Sequence, residues 1–163
     1  MSDEQDIAAD VERVGWSAIS IYDASPPFVY TVGLMFSLAH PELIVFGLGD
    51  EGYSVLRVMV EELRGGRSFA AQGAFQGVLE HGSIATRPVH QSQHETYLGS
   101  AMGYCRERGR MAELEAVQVF WPDSSGRFPF ERECDEAVWA AQPRLDLPVW
   151  PDGLRESRRS MDE

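Results

Sequence analysis

The stretch FVYTVGLMFSLAHPELIVFGLGD, from Phe28 to Asp50, contains two short apolar runs that predict neighbouring β-strands. The runs extend from Phe28 to Leu34 and from Leu43 to Leu48, and β-branched and aromatic residues fill much of both. Neither run alternates cleanly with polar residues, so we expect both faces of the sheet to be covered. The short link between the runs places His40 and Glu42 at the rim of this sheet centre.

The rest of the chain predicts an α+β domain, with a mostly antiparallel sheet and two main helices packed on one side of it. A split barrel like that of flavin-reductase or pyridoxamine-oxidase domains is the alternative, and only that alternative would admit a flavin cofactor. Further strands are predicted at Trp16 to Tyr22, Val78 to Glu80, Ile84 to Val89 and Ala116 to Trp121, and helices at Ser2 to Val14, Glu51 to Arg64 and Gln93 to Arg108.

Local signals mark the ends of several of these elements. Asp50 is a suitable N-cap for the helix that begins at Glu51, and Gly65 with Gly66 would end that helix. The segment from Asp123 to Gly126 is typical of a hairpin turn with glycine in the left-handed position.

One domain of ordinary globular composition is expected from 163 residues, of which 44% are hydrophobic and 25% charged. We assign residues 15–150 to this domain, residues 1–14 to an N-terminal helix or arm, and residues 151–163 to a flexible tail. The acidic start MSDEQDIAAD is unlike a signal peptide, and no apolar run is long enough to cross a bilayer. Cys105 and Cys134 do not make a disulfide framework, so the cytoplasm is the expected compartment.

Four motifs follow one another along the chain: GW at Gly15, FVYTVGL at Phe28, HPELIVFGL at His40 and WPDSSGRFPF at Trp121. In this order they resemble a bacterial family known as domain of unknown function 4262 (DUF4262). A later Gln142–Pro143 pair also fits, so the resemblance covers most of the chain. It implies no established activity and no catalytic residue, and the functional residues have to be inferred from their own chemistry.

The charge balance excludes several classes of function. The chain has 26 acidic and 14 basic residues, a formal net charge of -12, which would repel a nucleic-acid backbone. All of the basic residues are arginines. Without lysine there is no Schiff base to pyridoxal phosphate and no P-loop lysine, and no G-x-G-x-x-G motif supports a dinucleotide-binding fold. We therefore expect neither nucleic acid nor a membrane as a partner.

Two motifs resemble catalytic or metal-binding patterns but have simpler explanations. His90 and His94 have the spacing of a helical metal pair, yet Ser92 to Glu95 is a capping box that would leave His90 outside the helix. We therefore predict no metal site there.

The triplet Trp121-Pro122-Asp123 resembles the acid loop of tyrosine phosphatases, but neither cysteine is followed by an arginine at the spacing which that chemistry needs. Asp123 at the start of a turn explains the triplet.

Polar residues at the mouth of the sheet form the candidate ligand site. His40 and Glu42 offer an imidazole and a carboxylate at a strand end, where ligands often bind. A turn that caps the sheet edge is the alternative explanation for both. The residues that we assign to the site are Tyr30, Thr31, His40, Glu42, Gln118, Trp121 and Arg127.

Two classes of function fit these observations. The favoured one is a small-molecule-binding or enzymatic domain that uses the pocket at the sheet mouth. The other is an acidic protein-binding module, such as an immunity-like or regulatory protein, that meets a basic partner. No nucleophile with a partner base is visible, so no catalytic residue is assigned, and the sequence sets neither the ligand nor the oligomeric state.

Overall fold

A six-stranded open sheet forms the centre of the protein. The structure, a computed structural model, describes residues 4–149. Its strands are β1 (Ser17–Ile21), β2 (Phe28–Val32), β3 (Glu42–Phe46), β4 (Gly73–Phe75), β5 (Ile84–Pro88) and β6 (Ala116–Phe120). They lie side by side in the order β1-β2-β3-β6-β5-β4.

Neighbouring strands are antiparallel except for the central pair, β3 and β6, which run parallel. β2 pairs with β3, with Phe28 opposite Phe46, so the predicted adjacency of the two apolar runs is confirmed. The α+β class with a mostly antiparallel sheet is also confirmed, whereas the split-barrel alternative is wrong because the sheet does not close. Since β3 and β6 are parallel, both begin at one end of the sheet, the amino end, and both finish at the other, the carboxyl end.

Helices cover both faces of this sheet. They are α1 (Glu4–Val14), α2 (Leu34–Ser37), α3 (Asp50–Arg64), α4 (His94–Tyr97), α5 (Gly99–Glu107) and α6 (Glu136–Ala140). Leu56 and Met59 of α3 share a core with Val45, while Tyr104 of α5 shares the opposite core with Ile44. Successive strand residues point to opposite faces, which explains why β3 is apolar at both. The expectation of helices on one side only is therefore wrong.

The first turn of α3 lies directly against the sheet because it contains Gly52. A Cβ atom at this position would lie 2.9 Å from Cγ1 of Val29 and 3.3 Å from Cγ1 of Val45. Contacts that short would push the helix away from β2 and β3. Glycine thus holds the start of α3 close to the carboxyl end of the sheet.

The helix predicted from Gln93 to Arg108 is divided into α4 and α5. The backbone departs from helical geometry at Leu98, with φ -116° and ψ 37°, and Gly99 follows. Ser100 donates its backbone N–H to the phenol oxygen of Tyr30 at 3.0 Å, so a side chain from β2 satisfies one of the amides freed at the break. A tertiary contact therefore overrides the continuous helical pattern.

The strand predicted from Val78 to Glu80 is replaced by β4. Phe75 of β4 pairs with Ile84 of β5 and makes an edge contact with Phe69, with ring centroids 5.1 Å apart. Val78 instead turns into the core beneath α3. Phe75 and Val78 both pack into the core on the α3 side of the sheet, and the pairing with Ile84 decides which of them belongs to a strand.

Two predicted element ends also differ from the structure. β2 stops at Val32 because Gly33, with φ 108°, turns the chain into α2, so Leu34 is helical. Asp50 is the first residue of α3 and not its N-cap, a position that Gly49 occupies. The Asp50 carboxylate instead accepts a hydrogen bond from Tyr22 Oη at 3.2 Å.

The predicted N-terminal helix and C-terminal tail concern the two ends of the chain. Ile7 of α1 is buried in the core on the α5 side of the sheet. The assigned tail, residues 151–163, and the predicted helix start at Ser2 lie outside the described residues. Within residues 4–149, no helix has the length and apolar composition that crossing a bilayer would require.

Candidate functional site

A cleft of about 770 Å³ opens at the carboxyl end of the sheet. Leu48 lines it just beyond β3, and Trp121, Pro122 and Asp123 line it just beyond β6. One side of α3 and the loop of residues 78–82 complete its walls. We call this space the carboxyl-end cleft.

The carboxyl-end cleft combines buried or half-buried apolar residues with exposed polar ones. Its apolar residues include Val55 and Val58, and its exposed polar residues include Glu51, Glu80 and His81. None of the described lining residues is an arginine. Carboxylates at the rim of a cleft in an acidic protein favour neutral or positively charged ligands.

Trp121 is held rigidly at the wall of this cleft. Its indole Nε1–H donates to the carbonyl of Phe46 at 2.7 Å, and its backbone exchanges hydrogen bonds of 3.0 and 2.9 Å with the side-chain amide of Gln142. Gly47, with φ 83°, allows this packing, since a Cβ there would lie 3.2 Å from Cζ2 of Trp121. The cleft therefore presents a fixed aromatic surface.

Asp123 lines the carboxyl-end cleft but serves its own turn. Its Oδ1 accepts the backbone N–H groups of Ser125 and Arg127, each at 2.9 Å, and its Oδ2 accepts that of Asp135 at 2.9 Å. These hydrogen bonds, that from Arg127 foremost, lower the pKa of Asp123 below its ordinary value. Gly126 has φ 87°, so the predicted turn is confirmed, although no strand follows it within the described residues and it is not a hairpin.

Thr31 and Glu42 meet at the amino end of the sheet. Glu42 Oε1 accepts Thr31 Oγ1–H at 2.7 Å and the Leu34 N–H at 3.2 Å, while Oε2 accepts the N–H groups of Gly33 at 2.9 Å and Met35 at 3.4 Å. Glu42 is only 1% exposed. Its carboxylate therefore provides the acceptor for the turn from β2 into α2, whose first amides have no partner inside the helix.

Burial raises the pKa of Glu42 to about 7, against the lowering effect of its four hydrogen bonds. The carboxyl group of Glu42 therefore changes between its protonated and ionised forms near neutral pH. Because its acceptor capacity is used by groups of the protein, Glu42 as placed here acts first as a structural cap.

His40 also uses both of its ring nitrogens inside the protein. Nδ1 lies 2.8 Å from the carbonyl of Pro41, and Nε2 lies 3.0 Å from the backbone nitrogen of Phe69, which donates to it. This arrangement requires a neutral ring with hydrogen on Nδ1, and burial correspondingly lowers the pKa of His40. His40 thereby ties the chain before β3 to the segment before β4.

The remaining predicted site residues lie apart from one another. Tyr30 is buried beside α5, and burial raises the pKa of its phenol. Gln118, in the middle of β6, donates to the carbonyl of Pro143 at 2.7 Å and accepts the N–H of Leu145 at 2.9 Å. Arg127 pairs with Glu133 at 3.5 Å on the surface. The structure thus brings Thr31 and Glu42 together at one end and places Trp121 at the opposite end.

These positions can be compared with known proteins. The model of a family described as a domain of unknown function, DUF4262, matches residues 10–135. The chain belongs to the DUF4262 family. In this DUF4262 domain the second and third motifs form β2, β3 and the Glu42 network, and the fourth begins at the carboxyl-end cleft. The matched region ends before Gln142 and Pro143, and comparisons with curated proteins and with solved structures gave no match.

The histidine pair of this DUF4262 domain is arranged differently from the predicted capping box. His90 itself is the N-cap of a 3₁₀ turn, Gln91–Gln93, with its Nδ1 accepting the N–H of Ser92 at 3.1 Å. Gln93, not Ser92, precedes α4 and makes no side-chain cap. Within the described residues there is no group of three His, Cys, Asp or Glu side chains placed to hold a metal ion. The absence of a metal stays a prediction.

Sequence reasoning missed the polar residues at the carboxyl-end cleft. Glu51 and Ser54 are three residues apart on α3 and therefore lie near each other on its surface, and His81 belongs to the loop before β5. They could have been identified from the rule that open sheets bind ligands beyond the carboxyl ends of their parallel strands. That rule could not be applied before the parallel pairing of β3 and β6 was known.

Proposed function

We propose that this DUF4262 domain binds a small organic molecule in the carboxyl-end cleft. The observation that carries the proposal is the position of a cleft of about 770 Å³ beyond the ends of the only two strands that are paired in parallel in the described sheet. Its volume lies within the range of ligand pockets, and its mixture of apolar residues with a few polar ones is typical of them.

The chemistry of the cleft favours a neutral or cationic ligand with a flat apolar body. Trp121 supplies a half-buried aromatic surface whose orientation is fixed by its hydrogen bonds. Glu51 and Glu80 supply exposed carboxylates, and the chain as a whole carries a formal charge of -12. A cation is attracted both by these charges and by the face of an indole ring.

A matched pair of tryptophan substitutions on α3 tests this proposal. Ser54→Trp would fill the cleft from an exposed lining position, whereas Arg57→Trp adds the same side chain at an exposed position of the same helix that does not line the cleft. Each purified protein is incubated with a cell metabolite extract, and retained compounds are identified by mass spectrometry and checked by titration calorimetry. We expect a compound that binds saturably to the wild type and to Arg57→Trp but not to Ser54→Trp. Equal retention by both variants, or no saturable ligand, would contradict the proposal.

A second candidate is a protein-binding module with a basic partner. Tyr22 and Tyr53 are 63% and 42% exposed, and Tyr22 bonds to the carboxylate of Asp50. Exposed tyrosines beside carboxylates suit an interface with a positively charged surface. A partner captured by the wild type and by Ser54→Trp, but lost with Tyr22→Ser and Tyr53→Ser together, would favour this function over ligand binding in the cleft.

A further inference from the structure

A second cleft, of about 430 Å³, lies at the amino end of the sheet. Pro41 before β3, Val89 after β5 and Ala116 at the start of β6 line it, together with Gln91, His94 and Glu115. We call it the amino-end cleft. It shares no lining residue with the carboxyl-end cleft.

His94, a lining residue of the amino-end cleft, has an unused hydrogen-bonding atom. The side chain lines the cleft and is 8% exposed, and its Nε2 is buried without a partner among the described residues. A hydrogen bond with the backbone of Val89 favours the charged form of the ring, and we assign it to Nδ1 because Nε2 has no partner. Donation from Nδ1 to a carbonyl leaves Nε2 with a bare lone pair.

A buried acceptor without a partner is costly, by about 1 to 3 kcal/mol, so a group that donates a hydrogen bond to it is stabilised there. Burial lowers the pKa of His94, which keeps the ring neutral and Nε2 an acceptor. Glu115 is the one charged side chain among the described residues that line the cleft, and it is exposed. An occupant should therefore carry an N–H donor and a positive charge.

We propose that the amino-end cleft binds a small organic ammonium compound, which donates an N–H to Nε2 of His94 and places its charge beside Glu115. The hydrogen bond supplies the partner that the imidazole lacks, and the carboxylate offsets the charge of the ligand. The apolar residues Pro41, Val89 and Ala116 contact the body of the ligand. This site is separate from the carboxyl-end cleft and does not depend on ligand binding there.

Nitrogen NMR of the histidine side chains tests this site with two probes. Benzylammonium carries N–H donors, whereas benzyltrimethylammonium has the same ring and charge without them. In ¹⁵N-histidine-labelled protein we expect benzylammonium to shift the His94 Nε2 resonance saturably, in the direction of a hydrogen-bonded acceptor. Benzyltrimethylammonium should leave it in place. His81, exposed at the opposite cleft, provides the internal control resonance.

Two variants separate the contributions of the two polar groups. His94→Phe should abolish binding of benzylammonium, and Glu115→Gln, at an exposed position that leaves folding intact, should weaken it about fivefold. Ser54→Trp should not change it. The proposal is wrong if neither probe shifts Nε2, if both probes bind equally well, or if Glu115→Gln has no effect. It is also wrong if Nε2 already resonates as a hydrogen-bonded acceptor without probe, because a water molecule then fills the place.

Discussion

A glutamate and a histidine lie near each end of the β3 and β6 pair, and they differ in burial and in hydrogen bonding between the two ends. At the amino end, the carboxylate of Glu42 and the imidazole of His40 are buried, and each polar atom that they offer is bonded to the protein. At the carboxyl end, Glu51 and His81 are exposed beside an open cleft. A histidine and a glutamate near a strand end therefore serve the fold in one place and remain available to a ligand in the other.

The partners of the amino-end groups explain the difference. Glu42 accepts backbone amides from the turn into α2, and His40 accepts the amide of Phe69, which is 29 residues away in the chain. Those amides are buried and need acceptors, which makes the side chains part of the fold. At the carboxyl end Asp123 meets this demand for its own turn, whereas Glu51 lies on α3 and His81 in an exposed loop, away from the amides of that turn. Availability for a ligand thus depends on neighbouring backbone groups and not on residue type.

The largest expected effect comes from disturbing the apolar centre that separates the two ends. Val45 of β3 is 1% exposed and lies opposite Val119 of β6, so Val45→Asp would leave an unpaired buried charge and should unfold the protein. Val58→Asp, at the half-buried wall of the carboxyl-end cleft, should stay folded. Circular dichroism melts of both variants check this. A folded Val45→Asp with the melting temperature of the wild type would show that β3 is not central.

The next effect compares a carboxylate from each end. Glu42→Ala would leave the hydroxyl of Thr31 and the amides of Gly33, Leu34 and Met35 without their acceptor, at about 1 to 3 kcal/mol for each buried group that finds no other partner. We expect a loss of several kcal/mol in the free energy of unfolding. Glu51→Ala should change it by no more than about 0.5 kcal/mol, as is usual for an exposed side chain. Urea denaturation measures both, and equal losses would remove the distinction between the two ends.

The sequence predicted the centre of the fold better than its ends. The apolar runs in β2 and β3 identified adjacent strands covered on both faces, because burial on two sides leaves a continuous apolar pattern. The sites at the strand ends were less predictable. The hydrogen bonds of the Gln118 side chain to the backbone of Pro143 and Leu145 could not be predicted, since bonds between residues 25 and 27 positions apart leave no local pattern. The division between α4 and α5 could not be predicted for the same reason, since it depends on the hydrogen bond between Ser100 and the distant Tyr30.

The pH dependence of the free energy of unfolding reports the titration of Glu42 separately from the other contributions of its network. Its pKa is about 7 in the folded protein against an ordinary value of 4.5, so the folded state binds more protons between these values and stability falls as pH rises through them. The loss should be on the order of 3 kcal/mol and should be complete above pH 7. Glu42→Gln, which does not titrate, should lack this component. The free energy of unfolding of both proteins is measured at several pH values from 4 to about 8, and parallel profiles would show that folding does not raise the pKa of Glu42.

The smallest effect compares a histidine from each end. His40→Ala would leave the buried amide of Phe69 without an acceptor and should cost about 1 to 3 kcal/mol, whereas His81→Ala should stay within about 0.5 kcal/mol. The pKa of His40 is lowered, so its contribution is complete above its ordinary value of 6.5 and is lost as pH falls through the folded pKa. The difference between wild type and His40→Ala should therefore shrink on acidification. Urea denaturation of the three proteins at pH values on either side of 6.5 measures this. If His40→Ala is as stable as His81→Ala, the fold does not need the imidazole of His40, which is then as available to a ligand as that of His81.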